Sequence, residues 1–409
     1  MLINAESKIK DIILKYPECI PVFSAAGFGS SKEELIEKLG ESLMLKTALK
    51  VKGINEELFL KMLHEKISDG TFETSADEEI HEKLNFIGYT YCPLKLTFRE
   101  CFLEVLNRYK KESNDHDFKY YVPSGCGGKD PYEDIWKADN IDELPEIIAS
   151  VGLGDFFRRE FYERFVKKGY FKAVSLPKEN EAFVSAGLVD PDGFYTVYSV
   201  FPLVLMVDTI RLGNLPEPKK WSDLLDPAYE NNIIIGASHG GIHEDLLLYI
   251  HKEHGDEGIM KLSKNIKDGL HASQMSKLAG TNSADGAAVY VIPWMFAKSC
   301  PRTEKVKTIW PEDGAITTPN YMLVKENAAS KYKIFIDFLM GADFGQKSAD
   351  NYFPVANGEV DNRLPEGAAL KWLGWDYIKS HSMDELKQHV TDVFKMNWGK
   401  ENKIKEFWL

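Results

Sequence analysis

The feature that most constrains the fold is an apolar stretch, residues 194–207 (FYTVYSVFPLVLMV), rich in β-branched and aromatic residues. A typical strand has only about 5 to 6 residues. The stretch is therefore longer than one strand of an ordinary compact sheet requires. We interpret it as a crossover between two lobes, which predicts a hinge at this point.

Around this stretch, from Leu84 onward, short apolar runs alternate with amphipathic segments. Such alternation is typical of an α/β architecture with mostly parallel strands. The predicted strands are residues 85–91, 118–122, 146–151, 233–238, 287–293, 307–310 and 320–324. The predicted helices between and after them are residues 96–109, 243–254 and 332–340. The strands up to residue 151 are assigned to the first lobe, those from 233 to 293 to the second, and the last two to a return.

The N-terminal part follows a different pattern. Residues 7–68 carry apolar side chains at helical spacing, for example Ile9, Ile12 and Ile13, which predicts a compact all-α unit. Residues 68–77 are polar and contain turn formers, so the linker is placed there. We expect a helical domain over residues 1–75 and a second domain over residues 80–409.

Composition excludes several classes of function. A net charge of −13 disfavours a nucleic-acid partner, and no apolar run is long enough to insert into a membrane. The N-terminus does not resemble a secretion signal, so a cytoplasmic location is expected. The five cysteines are odd in number and form no C-x-x-C pair, which predicts free thiols rather than disulfides.

Three local patterns occur in an order that is known from one family. They are residues 221–229 (WSDLLDPAY), residues 310–316 (WPEDGAI), and residues 335–346 (FIDFLMGADFGQ) followed by residues 352–355 (YFPV). They resemble the entry to the second lobe, the return hinge and the ending of type II solute-binding proteins, in the ferric-iron, phosphonate and polyamine branch. The resemblance covers roughly residues 84 to 360.

The N-terminal unit carries a second resemblance. Tyr16-Pro17-Glu18 and Gly27-Phe28 are similar to a small helical module of unknown function found ahead of iron-sulfur repair proteins and other redox proteins. Cysteines often follow the Gly-Phe pair in that module, whereas residues 29–31 are Gly-Ser-Ser here. Metal or cluster binding is therefore not expected from this unit.

These resemblances imply an α/β, two-lobed type II periplasmic-binding-protein fold with a hinge, preceded by a small all-α domain. Lobe 1 is expected at about residues 80–195 and 315–409, and lobe 2 at about residues 205–310. The implied function is reversible binding of a small anionic or polar solute, without catalysis or a cofactor. The implied partner is a transporter permease. If this chain is instead an intracellular sensor or delivery protein, the implied partner is a protein that docks on its helical unit.

Most candidate ligand-binding residues lie where predicted strands end, because ligands of doubly wound sheets bind beyond the carboxyl ends of the strands. The candidates are Thr90, Tyr91, Cys92, Ser124, Gly125, Cys126, Tyr198, Ser238, His239, Gly240, Gly241, Trp294 and Asp313. Of these loops, residues 238–241 (SHGG) fit an anion-binding turn ahead of a helix best. Tight turns, core packing and a solvated carboxylate are the structural alternatives for the glycines, Trp294 and Asp313.

Two further hypotheses stay open at the level of sequence. Cys92, Cys126 and His239 are candidates for a metal or redox site, and His239 with His243 has the spacing of a metal pair on one helical turn. Iron-binding members of the family use a tandem tyrosine pair late in the second lobe, whereas the only Tyr-Tyr pair here is Tyr120-Tyr121. An enzyme on the same scaffold is the remaining alternative.

Overall fold

The computed structural model describes residues 3–25, 28, 35–36, 42–52, 54, 56, 59–60, 63, 83–113, 115, 117–123, 130–238 and 241–400. Within the N-terminal unit the helices are α1 (Ile9–Lys15), α2 (Ile20–Ala25) and α3 (Leu45–Lys52). Their buried side chains form an apolar cluster whose members all lie between Ile3 and Leu63. The helical character of this unit is confirmed.

The rest of the chain is built on one mixed sheet. Its strands are β1 (Phe86–Gly88), β2 (Tyr120–Tyr121), β3 (Ile147–Val151), β4 (Thr196–Asp208), β5 (Ile233–Ser238), β6 (Gly241–Ile242), β7 (Ile266–Leu270), β8 (Val289–Pro293), β9 (Val306–Ile309), β10 (Ala315–Val324) and β11 (Leu370–Lys371). The spatial order is β2-β1-β3-β10-β4-β8-β5-β6, with β11 on β10, β7 on β5 and β9 on β4.

Strands β4 and β10 form the hinge, because they are the two long strands at the centre of this order. On one side, β1 pairs in parallel with β2 and β3, which defines lobe 1. On the other side, β5 pairs in parallel with β7 and β8, which defines lobe 2. The hinge strands pair antiparallel with each other, and also with β3 and β8. The prediction of mostly parallel strands holds within each lobe but is wrong at the hinge, where the chain crosses and returns.

Helices cover both faces of the sheet. They are α4 (Lys95–Ser113), α5 (Arg159–Phe161), α6 (Glu181–Ser185), α7 (Thr209–Leu212), α8 (Asp245–Asn265), α9 (Ala272–Leu278), α10 (Trp294–Lys298), α11 (Lys333–Met340), α12 (Ala342–Asp350), α13 (Trp375–Ser380) and α14 (Met383–Trp398). Among the described residues, no helix is both long enough and apolar enough to span a membrane.

Aromatic side chains hold α4 and α11 on lobe 1. The rings of Phe118 and Phe335 stack with centroids 4.5 Å apart, and those of Phe86 and Phe102 stack at 4.7 Å. Each buried aromatic side chain contributes roughly 1.5 to 3 kcal/mol through the hydrophobic effect. This packing holds both helices against the sheet of lobe 1.

The C-terminal helix α14 packs against α8 of lobe 2. The Trp398 indole donates a hydrogen bond to the Ile266 carbonyl at 2.9 Å. At the other end of the helix, Arg158, which follows β3, pairs with Asp384 at 3.1 Å. Helix α14 therefore has contacts with segments of both lobes.

Candidate functional site

A β-bulge interrupts the pairing of the two hinge strands. Asn320 pairs with Ser199 and Tyr321 pairs with Val197, so Tyr198 has no partner residue opposite it on β10. Pro202 and Pro319 lie in the same paired segment. Because proline cannot donate a ladder hydrogen bond, it is tolerated inside a sheet mainly next to such irregularities. Bulges of this kind are frequent beside functional sites, where they redirect side chains.

Among the residues that the structure describes, three polar side chains at the bulge are buried and have no hydrogen-bond partner of ordinary geometry. They are the Tyr198 hydroxyl, both side-chain polar atoms of Asn320, and the Tyr321 hydroxyl. The residues are 3%, 1% and 0% exposed, respectively. Leaving a buried polar group unpaired costs about 1 to 3 kcal/mol, and nearly all such groups in native proteins are paired. These atoms are therefore suited to form hydrogen bonds with a ligand. We call the three side chains, Tyr198, Asn320 and Tyr321, the bulge cluster.

Tyr91 and Thr318 complete the surroundings of the bulge cluster. The Tyr91 ring stacks on Phe201 of β4, with centroids 4.4 Å apart. Its hydroxyl lies beside Thr318 and near Gly152, where a β-carbon would come within 3.7 Å of that oxygen. Gly152 has a φ of +70°, which favours glycine and leaves the space in front of Tyr91 open.

Burial raises the pKa of Tyr91 well above its usual value, and the nearby carboxylate of Asp245 adds to the effect. Burial also raises the pKa of Tyr198. Burial raises the pKa of Tyr321, although the neighbouring Ser150 hydroxyl opposes it and the charge of Asp155 adds to it. All three phenols are therefore neutral hydrogen-bond donors at any physiological pH.

A pocket opens where β1 and β3 end. It encloses about 340 Å³ and is lined by groups that include Thr90, Lys95, Ser150 and Asp155. Ser150 also neighbours Tyr321, so the pocket reaches towards the bulge cluster. The position agrees with the general rule that ligands of α/β sheets bind beyond the carboxyl ends of strands.

Three of the residues predicted from the sequence meet in this region. Thr90 lines the pocket, Tyr91 lies over the hinge, and Tyr198 is the bulged residue. Sequence reasoning missed Thr318, Asn320 and Tyr321. A signal was present, because an asparagine next to a proline is unusual in the middle of a buried strand.

The prediction that Cys92 is a free thiol is wrong, because Cys92 is disulfide-bonded. The other cysteines that the structure describes, Cys19, Cys101 and Cys300, are thiols. The disulfide removes the support that the cysteine count gave to a reducing compartment. Ser124, Gly125 and Cys126 were also predicted as ligand-binding residues, and they lie outside the described residues.

The predicted anion-binding turn at residues 238–241 does not lead into a helix. Ser238 pairs with Gly241, and residues 241–242 form β6, which runs antiparallel to β5. Gly241 has a φ of +129°, and α8 begins only at Asp245. The expected helix N-terminus is therefore displaced, and His243 lies before the helix. His239 and Gly240 lie outside the described residues, as does the side chain of Ser238.

Trp294 and Asp313 have contacts elsewhere. Trp294 is 2% exposed and packs edge-on against Trp310 and Tyr352, which makes it part of a buried cluster. The Asp313 carboxylate accepts a hydrogen bond from Lys371 at 3.0 Å and from the Trp221 backbone N–H at 3.4 Å. The packing of Trp294 resembles its structural alternative of core packing, whereas Asp313 is 25% exposed and ion-paired rather than a solvated carboxylate.

Comparison with known proteins gives the family. Residues 142–381 match the model of a family described as bacterial extracellular solute-binding protein. The chain belongs to this bacterial solute-binding protein family. Members bind small molecules for delivery to transporter permeases, and the family is one of substrate-binding proteins rather than enzymes. Residues 3–60 of this solute-binding protein match a second model, a domain of unknown function, DUF1858. Both resemblances inferred from the sequence are confirmed.

Solved structures confirm the fold of the solute-binding protein. An ABC transporter structure from Clostridium perfringens is 14% identical, with 78% of this chain and 100% of that chain covered and a TM-score of 0.54. A Trichodesmium protein (IdiA, FutA) in complex with iron and citrate is 13% identical, with 76% and 98% covered and a TM-score of 0.52. Apo FutA2 from Synechocystis is 15% identical, with 76% and 98% covered and a TM-score of 0.51. A comparison with curated proteins found no match.

Proposed function

We propose that this solute-binding protein holds a small polar solute at the bulge cluster, between its two lobes, and presents it to a transporter permease. The observation that carries the proposal is the set of buried, unpaired polar atoms on Tyr198, Asn320 and Tyr321. They lie on the two strands that connect the lobes, so a solute bonded to them contacts the hinge directly. Closure of the lobes around such a solute is a common binding motion for two-lobed proteins.

The solute is proposed to be neutral or positively charged where it meets the cluster. The charges that act most strongly on Tyr91 and Tyr321 include the carboxylates of Asp245 and Asp155. A negative group beside these carboxylates would be repelled in a site of low dielectric constant. The asparagine amide accepts as well as donates, so it can bond a hydroxyl, an amide or an ammonium group. This narrows the anionic or polar solute that was expected from the sequence.

The test begins with identification of the solute. Native mass spectrometry of freshly purified protein, followed by denaturation, yields the released molecule for calorimetric titration into the wild type and Asn320→Ala. Loss of the two amide contacts should cost about 1 to 3 kcal/mol, which is roughly 5-fold to 150-fold in Kd.

The matched control is Asn265→Ala. Asn265 is also buried, but its amide donates to the carbonyls of Leu224 and Asp226 in lobe 2, both at 2.8 Å. This variant should lose stability and keep its affinity for the solute. Unchanged affinity in Asn320→Ala would contradict the proposed site.

A second candidate ligand is ferric iron. The observation that favours it is the group of three neighbouring phenols, Tyr91, Tyr198 and Tyr321, with the carboxylate of Asp245 near Tyr91. Oxygen donors of this kind suit hard cations. Titration with ferric citrate should then produce a visible phenolate-to-iron absorption band that is weaker in Tyr198→Phe. A colourless titration would leave the polar solute as the ligand.

A further inference from the structure

Away from the bulge cluster, two histidines and an aspartate from two helices lie close together on the surface. His251 and Asp256 belong to α8, and His389 belongs to α14. The Asp256 carboxylate oxygen lies 2.8 Å from His389 Nε2 and 3.4 Å from His251 Nε2. All three potential ligand atoms lie within 4.8 Å of one another.

The kink in α8 creates this arrangement. In a regular helix, residues five apart point about 140° away from each other around the axis, so His251 and Asp256 would not meet. Gly255 interrupts the helix with a φ of 60° and a ψ of −161°, which are not helical values. Because Gly255 tolerates this conformation, the chain turns back and brings Asp256 against His251.

A hydrogen bond at the other ring nitrogen also orients His251. Its Nδ1 atom lies 3.2 Å from the Tyr377 hydroxyl of α13, which leaves Nε2 directed towards Asp256. Metal-binding histidines usually make such a hydrogen bond with the nitrogen that does not bind the metal, because the bond fixes both tautomer and ring position. Three helices thus contribute to one small cluster.

The dimensions suit a transition-metal ion. In a tetrahedral zinc site, ligand distances of about 2.0 to 2.2 Å place neighbouring ligand atoms roughly 3.4 Å apart. The observed separations of 2.8 and 3.4 Å need little adjustment to reach this value. The side chains of Asp256 and His389 are 47% and 49% exposed, so an ion can enter from solvent and keep water at its remaining positions.

We propose that His251, Asp256 and His389 form a binding site for one divalent transition-metal ion, with zinc, cobalt and nickel as the fitting class. Imidazole and carboxylate ligands suit these ions, whereas magnesium and calcium prefer sites made of oxygen alone. The ion joins the C-terminal helix α14 to the kink of α8. This site is separate from the solute cleft and does not depend on the proposed function.

The test uses the full-length, untagged protein after removal of metal with a chelator. Calorimetric titration with Zn²⁺ should show one ion bound per chain, and elemental analysis after dialysis should give the same stoichiometry. His251→Ala and His389→Ala should each weaken binding more than 10-fold. Tyr377→Phe should weaken it about 10-fold, as expected for loss of an orienting hydrogen bond.

The matched control is His254→Ala, because His254 is an exposed histidine on the same helix outside the cluster. It should bind Zn²⁺ like the wild type. Bound Co²⁺ should give a visible spectrum that disappears in His389→Ala, and Zn²⁺ should slow hydrogen exchange in α14. Equal Zn²⁺ affinity in the wild type and the His251→Ala, His389→Ala double variant would overturn the proposal, as would the absence of stoichiometric binding.

Discussion

Replacement of Tyr198 by phenylalanine should stabilise the ligand-free protein while weakening its binding of solute. The substitution keeps the ring, which is 3% exposed in the aromatic core of lobe 1, and removes only the hydroxyl. That hydroxyl is buried without a partner. Since a buried polar group without a partner costs about 1 to 3 kcal/mol, its removal should raise the free energy of unfolding by about 1 kcal/mol.

Tyr195→Phe is the control for this change. Tyr195 is also buried, but its hydroxyl donates a hydrogen bond to the Phe156 carbonyl at 2.9 Å. Its removal leaves that carbonyl unpaired, so the free energy of unfolding should fall by about 1 kcal/mol. The two tyrosines lie near each other in sequence, yet the same substitution should change stability in opposite directions.

The assay is urea unfolding of the ligand-free variants, followed by tryptophan fluorescence, with midpoints compared at constant slope. Solute titration then completes the experiment, and Tyr198→Phe should bind roughly 5-fold more weakly, as expected for one hydrogen bond of about 1 kcal/mol. Equal destabilisation by both substitutions would show that the Tyr198 hydroxyl has a partner within the protein. Stabilisation with unchanged affinity would show that the solute does not contact it.

Four other expectations follow from the structure. Asp190→Asn should lower the free energy of unfolding by about 3 to 5 kcal/mol, because Asp190 is buried and pairs with Lys379. Burial lowers the pKa of Lys379, but its hydrogen bonds to Asp190 and Asp192 outweigh burial and leave that pKa raised. The pair should therefore stabilise the wild type fully at pH values below the usual lysine pKa. This stabilisation should be lost as the pH rises through the higher pKa that Lys379 has in the folded protein. Unfolding curves of the wild type and the variant at alkaline pH measure this loss. Alkylation with mass spectrometry should find Cys92 protected until a reductant is added; labelling without reductant would contradict the disulfide. Proteolysis within residues 68–77 should release two pieces that each retain their circular dichroism, and loss of structure in both would refute the predicted domain boundary. Small-angle scattering should show a smaller radius of gyration with the solute bound, and an unchanged radius would argue against lobe closure.

Much of the sheet could be predicted because its strands are continuous apolar runs. The strand Ile233–Ser238 agrees with its predicted bounds at both ends, and the long stretch at residues 194–207 became the hinge strand Thr196–Asp208. Such runs are visible in sequence because buried strands have no polar face. Family motifs supplied the order of the lobes, which local patterns do not contain.

The binding site was harder to predict because it depends on register. Tyr198 and Asn320 both lie at a one-residue bulge between strands that are far apart in sequence. A shift of one residue would turn each side chain to the other face of the sheet. No pattern within either strand determines this shift, although Pro319 marks an irregular position.

Helix starts were a second source of error. The helix predicted from residue 243 begins at Asp245, because residues 241–242 first pair with the preceding strand. The same helix continues past Gly255 to Asn265 with a kink that no local propensity predicts. The proximity of His251 to Asp256 and His389 depends on that kink and on the packing of α14.

The most direct test of the central claim is a crystal structure of the protein with its co-purified or identified solute. The proposed site predicts electron density for the solute within hydrogen-bonding distance of the Asn320 amide and of at least one of the hydroxyls of Tyr198 and Tyr321. Solute density at another place, with the bulge cluster holding only water or still unpaired, would contradict the claim.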